Sequence, residues 1–191
     1  MSFEAFAIST GVVALGEMGD KTQLLALLLA ARFRAPRPII AGILVATLAN
    51  HALAATLGAW LSQLVDPQWM RWGLGLSFIG VALWMLVPDA ADDLDTGAQR
   101  SRLGIFGLTV IAFFLAEMGD KTQIATVMLA ARYDALFTVT AGTTLGMMVA
   151  NVPAVLLGER AVRFVPIAWV HRIAALLFAA IGVAVLGGVG S

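Results

Sequence analysis

The heptapeptide Glu-Met-Gly-Asp-Lys-Thr-Gln occupies positions 17–23 and returns unchanged at 117–123, each time in the middle of a long apolar stretch. Each copy puts two carboxylates and one ammonium group near the centre of a run long enough to cross a bilayer. On the insertion scale every such charge opposes insertion by about 2.5–3.5 kcal/mol. Three per run amount to roughly 7–10 kcal/mol, so neither stretch is stable alone in lipid and each needs partners or water. Two such stretches in one chain can meet that need for each other, which brings the two motifs together.

The same offset of 100 residues relates Leu15 to Leu115, Leu29-Ala30-Ala31-Arg32 to Leu129-Ala130-Ala131-Arg132, Ala41-Gly42 to Ala141-Gly142, and Gly58 to Gly158. The chain is a tandem duplication. Its residues are 60% hydrophobic and 13% charged, against about 45–50% and about 25% in an average soluble domain, which places it in a membrane. A spanning helix takes roughly 20 mostly apolar residues, and six stretches qualify: about 5–31, 38–64, 70–87, 103–131, 135–157 and 167–189. Three spans per unit turn the second unit upside down relative to the first. The expected fold is an all-α membrane protein of six transmembrane helices arranged as two inverted three-helix repeats. Residues 1–88 form the first repeat, 89–102 an acidic cytoplasmic loop, and 103–191 the second repeat.

Counting Lys and Arg near the span ends sets the orientation. Arg32, Arg34, Arg37, Arg100, Arg102, Arg160 and Arg163 fall on one face, against Arg71 and Arg132 on the other. The first face is expected to be cytoplasmic, with both termini outside. No Lys or Arg precedes the first apolar stretch, and no removable leader is expected.

Composition also excludes classes of function. Without Cys there are no disulfides, thiolate zinc sites or cysteine nucleophiles. Twelve basic and twelve acidic residues balance to zero, with no basic tract to hold a nucleic acid. Neither His51 nor His171 adjoins a motif in sequence, so an intramembrane enzyme is not expected. His51 is read as a packing or hydrogen-bonding residue before a proton relay, and His171 as an interfacial anchor.

The pseudo-twofold axis of an inverted repeat brings both motifs to the midplane, where transporters of this architecture bind substrate. On an unbroken helix Asp20 would lie beneath Glu17 at i+3, with Lys21 on the same face at i+4. Gly16 and Gly19 leave two readings open: a broken helix that frees backbone carbonyls, or close helix packing. The candidate metal ligands are Glu17, Asp20, Glu117 and Asp120, joined by Gln23, Gln123, Asn50 and Asn151 through amide oxygens. Gly19, Gly119, Thr22 and Thr122 support them. Hard oxygen donors suit Ca²⁺, Mn²⁺ or Mg²⁺ better than Cu or Zn. Asn50 and Asn151 are 101 residues apart, a turn error of about 100° on a straight helix, which a kink at Pro153 could absorb. Lys21 and Lys121 balance charge: four carboxylates against two ammonium groups leave −2, which one divalent cation or two protons would neutralise. Crowded carboxylates favour proton uptake when the cation leaves, and cation/proton exchange follows. The alternative is an exporter of small organic cations or amino acids, which would need a spacious pocket instead of converging oxygens.

The duplicated Glu-x-Gly-Asp-Lys-Thr motif, in the first and fourth of six spans flanking an acidic loop, resembles that of the Gdt family of divalent-cation transporters, which includes bacterial manganese exporters of the MneA type. The resemblance covers the whole chain, which departs nowhere from the motif. It implies transport of Mn²⁺, and of Ca²⁺ in some members, against protons, with no bound cofactor. It points to residence in a bacterial inner membrane.

Overall fold

The structure, a computed structural model, describes residues 2–87, 104–158 and 167–188. The expected acidic loop at 89–102 and the cationic residues Arg100, Arg102, Arg160 and Arg163 lie outside them. All regular structure among the described residues is helical. The elements are α1 (Ser2–Glu17), α2 (Lys21–Phe33), α3 (Pro36–Leu64), α4 (Pro67–Met85), α5 (Gly104–Glu117), α6 (Lys121–Tyr133), α7 (Leu136–Leu157) and α8 (Ile167–Leu186). Three stretches are long and apolar enough to cross a membrane by themselves: Pro36–Leu64, Leu136–Leu157 and Trp169–Leu186.

The first and fourth apolar stretches are each two helices and not one. Both chains of helical hydrogen bonds stop at the motif, where Gly19 and Gly119 adopt φ of 86° and 77°. An L side chain is strained in that left-handed region, whereas glycine enters it freely. Of the two readings that the glycines allowed, Gly19 takes the break, whereas Gly16, inside α1, takes the close packing, since a Cβ there would stand 2.8 Å from Met85 Cε. The break also corrects the expectation of a shared helix face: Glu17 closes α1, Asp20 is the N-cap of α2 and Lys21 is the first residue of α2, so i+3 and i+4 spacing does not apply.

The duplication persists in local detail. Arg34 and Asp134, 100 residues apart, both end their helices with φ of 51° and 46°, and their N–H groups donate to Ala30 O and Ala130 O, each at 3.0 Å. Pro36 and Pro67 stand at the starts of α3 and α4, where a missing N–H costs nothing and the fixed φ suits a helix.

The two halves interlock. α1 packs mainly on α7 and α5 on α3, so each motif-bearing helix lies against the long helix of the other half. Glycines permit the approach. A Cβ on Gly42 would stand 2.7 Å from Thr109 Cβ, and one on Gly142 would stand 2.8 Å from the Phe6 carbonyl oxygen. α4 pairs with α8, and there Phe78 meets Phe178, its counterpart at the same offset, with ring centroids 6.1 Å apart and planes inclined by 41°. One departure from symmetry matters to the site. α8 packs on α1 and α4 on α6, whereas α8 on α2 and α4 on α5 make no comparable contact.

Candidate metal centre

Breaking α1 from α2 and α5 from α6 sets four helix ends against one another. The C-terminal turns of α1 and α5 present Glu17 and Glu117, and the N-termini of α2 and α6 present Asp20 and Asp120 as caps. All four carboxylates are buried: Glu17 and Glu117 expose nothing, and Asp20 and Asp120 expose 3% each. Carboxyl oxygens of Glu17, Asp20 and Asp120 lie within 4.8 Å of one another. Two come from the first half and one from the second. Oε1 of Glu17 and Oε1 of Glu117 are buried without a hydrogen-bond partner. An acceptor left unsatisfied inside a protein costs about 1–3 kcal/mol, and a bound cation would remove that cost.

The threonines behave as supports. Thr22 Oγ1 donates to Glu17 Oε2. Thr122 Oγ1 lies 3.3 Å from both Glu117 Oε2 and Asp120 Oδ2, sharing one hydroxyl proton between them. Asp120 Oδ2 also accepts from the Thr122 N–H at 3.5 Å, while Asp20 makes no side-chain bond to the start of α2.

The lysines divide. Lys21 does not fold back on Glu17. Its Nζ crosses to the other half and stands 3.2 Å from Asp120 Oδ1. Lys121 is 2% exposed, with its Nζ 5.9 Å from the centre of the Trp84 ring, a cation–π arrangement.

The amide residues divide as well. Gln23 Oε1 accepts from Gly19 N–H at 2.9 Å and Gln123 Oε1 from Gly119 N–H at 2.7 Å. Gln23 Nε2 donates to Ala150 O at 2.9 Å, and Gln123 Nε2 donates to Asn50 Oδ1. The oxygens of Gln23, Gln123 and Asn50 thus each accept from a protein donor. Asn151 differs: its Nδ2 donates to Met147 O at 3.1 Å and lies 2.8 Å from Met147 Sδ, leaving Oδ1 buried and unpartnered. The single-residue slip between the asparagines is real in three dimensions, because Ala150 and not Asn151 occupies the place corresponding to Asn50.

Two contacts were not expected. His171, read as an interfacial anchor, reaches the break, where Nε2 lies 3.0 Å from the Met18 carbonyl oxygen; since a carbonyl only accepts, Nε2 carries the proton. Nothing in the sequence points there. Ala150 could have been found, since the offset of 100 applied to Asn50 leads straight to it. His51 is fully buried with neither ring nitrogen bonded.

An all-helical apolar bundle with carboxylates from both halves gathered in its interior defines a membrane protein of the ion-transporter class. The chain matches the family described as divalent cation/proton antiporter GDT1 over residues 5–93 and 105–189, and it belongs to that family. It is 52% identical over 173 residues to a protein of Vibrio cholerae serotype O1 named "Putative manganese exporter", covering 90% of this chain and 85% of the relative. It is 29% identical over 174 residues to the GDT1-like protein sll0615 of Synechocystis, covering 81% and 83%. The GDT1-like protein 5 of Arabidopsis thaliana is 27% identical over 184 residues, covering 78% of each chain. No solved structure matches.

Proposed function

We propose that the protein exports divalent cations, Mn²⁺ foremost and Ca²⁺ as a second cargo, in exchange for protons across a bacterial inner membrane. The observation that carries this reading is the cluster of Glu17, Asp20 and Asp120 oxygens within 4.8 Å, a spacing that one metal ion can bridge. Glu117, with a buried unpartnered oxygen of its own, and Asn151 Oδ1 complete the donor set. Carboxylate and amide oxygens without thiolate or imidazole favour hard divalent ions. The name of the Vibrio relative favours Mn²⁺ among them.

In this reading the chain crosses the bilayer six times as two inverted repeats. α1 with α2 and α5 with α6 each form one broken span, and the half-helix ends at the break face the ion as in other inverted-repeat transporters. Lys21 is a tethered counter-ion: its ammonium group neutralises Asp120 when no metal is bound and gives way when one arrives. With −2 on the site, one divalent cation or two protons restore neutrality, so neither loaded state carries an uncompensated charge through lipid. The test is uptake of Mn²⁺ and Ca²⁺ into inverted vesicles under an imposed pH gradient. Flux should follow the pH gradient and hardly respond to membrane potential. Flux that ignores pH, or a strong voltage dependence at fixed pH, would overturn the two-proton exchange.

A further inference from the structure

A helix break leaves orphan backbone groups at both of its ends, and the second break disposes of them unusually. The Met118 N–H, which an unbroken helix would direct to Phe114 O, bonds to Leu115 O at 3.3 Å. Phe114 O instead accepts from Asn50 Nδ2 at 3.3 Å. At the other end, the Gly119 N–H is taken by Gln123 Oε1, and Gln123 Nε2 donates to Asn50 Oδ1. The result is one closed circuit. It runs from Gly119 N–H through the Gln123 amide to the Asn50 amide and back to Phe114 O, with Asn50 contributed by α3 of the other half. Each amide uses its oxygen and its nitrogen, and the fixed polarity of the backbone groups at the two ends sets both orientations. Each amide oxygen accepts a hydrogen bond within the circuit, which turns it toward a protein donor.

We infer that Asn50 and Gln123 are positioning residues and not metal ligands: together they clamp the second helix break against the opposite repeat and so fix where Glu117 and Asp120 stand. Glu117 lies between the two anchored points, Phe114 and Gly119, and Asp120 follows directly. A slack break would let both carboxylates drift from the oxygens of Glu17 and Asp20. Gln23 performs the first half of this task at the other break, holding Gly19 N–H, but ends on the Ala150 backbone carbonyl, so no side chain completes a circuit there.

The role attributed to these residues rests on the transport reading; the hydrogen-bonded circuit does not, and two measurements separate them. In vesicles, Asn50→Leu and Gln123→Leu should each raise the KM for Mn²⁺ about tenfold, the scale of a lost buried hydrogen-bond partner, with kcat changed by less than about threefold. Because the two act as one unit, the double variant should be no worse than either single. Two lost ligands would instead multiply to about a hundredfold, and that outcome overturns the clamp. Should Asn50→Leu fail to insert, Asn50→Asp decides. A carboxylate ligand would hold Mn²⁺ more tightly, so a KM at or below the wild-type value overturns the proposal. A clamp keeps its acceptor for Gln123 but sets a negative charge against Phe114 O, and KM rises. Independently, amide hydrogen exchange at Gly119 in the purified wild-type protein should be slow and should accelerate in Gln123→Leu. Unchanged exchange overturns the clamp even if the transport results are as expected, while accelerated exchange with no wild-type Mn²⁺ flux would leave the clamp standing and remove the transport reading.

Discussion

The two copies of the heptapeptide are identical in sequence and different in what they touch. The first copy is held without a closed circuit of side chains. Its break is pinned by Gln23 on the backbone of α7 and by His171 of α8 on the Met18 carbonyl, and its lysine, 31% exposed at the side chain, reaches away to Asp120. The second copy is held from several sides: Asn50 and Gln123 close a circuit around the break, Thr122 bridges both of its carboxylates, and Lys121 is buried beside Trp84. The difference arises outside the motif, from one residue of slip between Asn50 and Asn151 and from the side to which α4 and α8 attach. Identical heptapeptides therefore need not do identical work; the chain around each copy assigns the task.

Four measurements can break or sharpen that contrast. The largest effect is expected where the copies should not differ. Glu17→Gln and Glu117→Gln each remove a charge from the common site while keeping shape, and each should lower Mn²⁺ flux in vesicles at least a hundredfold with the protein still inserted. If one copy tolerates the change, the carboxylates do not form one site. Next, Lys21→Met and Lys121→Met should separate the copies. Loss of Lys21 deprives Asp120 of its counter-ion, lowering flux about tenfold and making it respond to membrane potential. Loss of Lys121, whose ammonium group stands over the Trp84 ring and also enters the count of −2, should likewise make flux respond to voltage while lowering it less than loss of Lys21 does. A third test concerns the breaks. A Cβ at Gly119 meets nothing within 4 Å, so Gly119→Ala pays only for its left-handed φ, about 1–2 kcal/mol, read as a lower thermal midpoint of the detergent-solubilised protein; an unchanged midpoint would mean that the break is not held in this conformation. The smallest effect is expected for His171→Ala, which deletes a single bond to Met18 O, with flux falling about threefold to fivefold. A loss as large as that of Glu17→Gln would make the first copy no less tightly held than the second.

Much of the candidate site was legible from residues alone, because a charge inside an apolar run is costly wherever it lies, and a repeated cost demands a common solution. Glu17, Asp20, Glu117 and Asp120 were found in this way, and all four are buried, with three of them clustered. The partners were not legible. Lys21 was expected beside Glu17 by helix periodicity, and the break at Gly19 removed the premise. The oxygens of Gln23 and Gln123 accept from backbone N–H groups at the breaks and that of Asn50 accepts from Gln123, because hydrogen bonding is decided by which groups a fold leaves unsatisfied, and that is not written in a list of donors.

By itself the sequence determined the duplication, the helical membrane character and the pair of charged motifs, since each follows from composition, periodicity or the free energy of placing charge in lipid, all local quantities. Tertiary structure decided the rest. Whether glycine means a kink or a close contact depends on what packs against it; which carboxylate a lysine neutralises depends on distances between segments 100 residues apart; and a one-residue slip between two asparagines becomes a difference in role only when the helices that carry them are laid against opposite breaks.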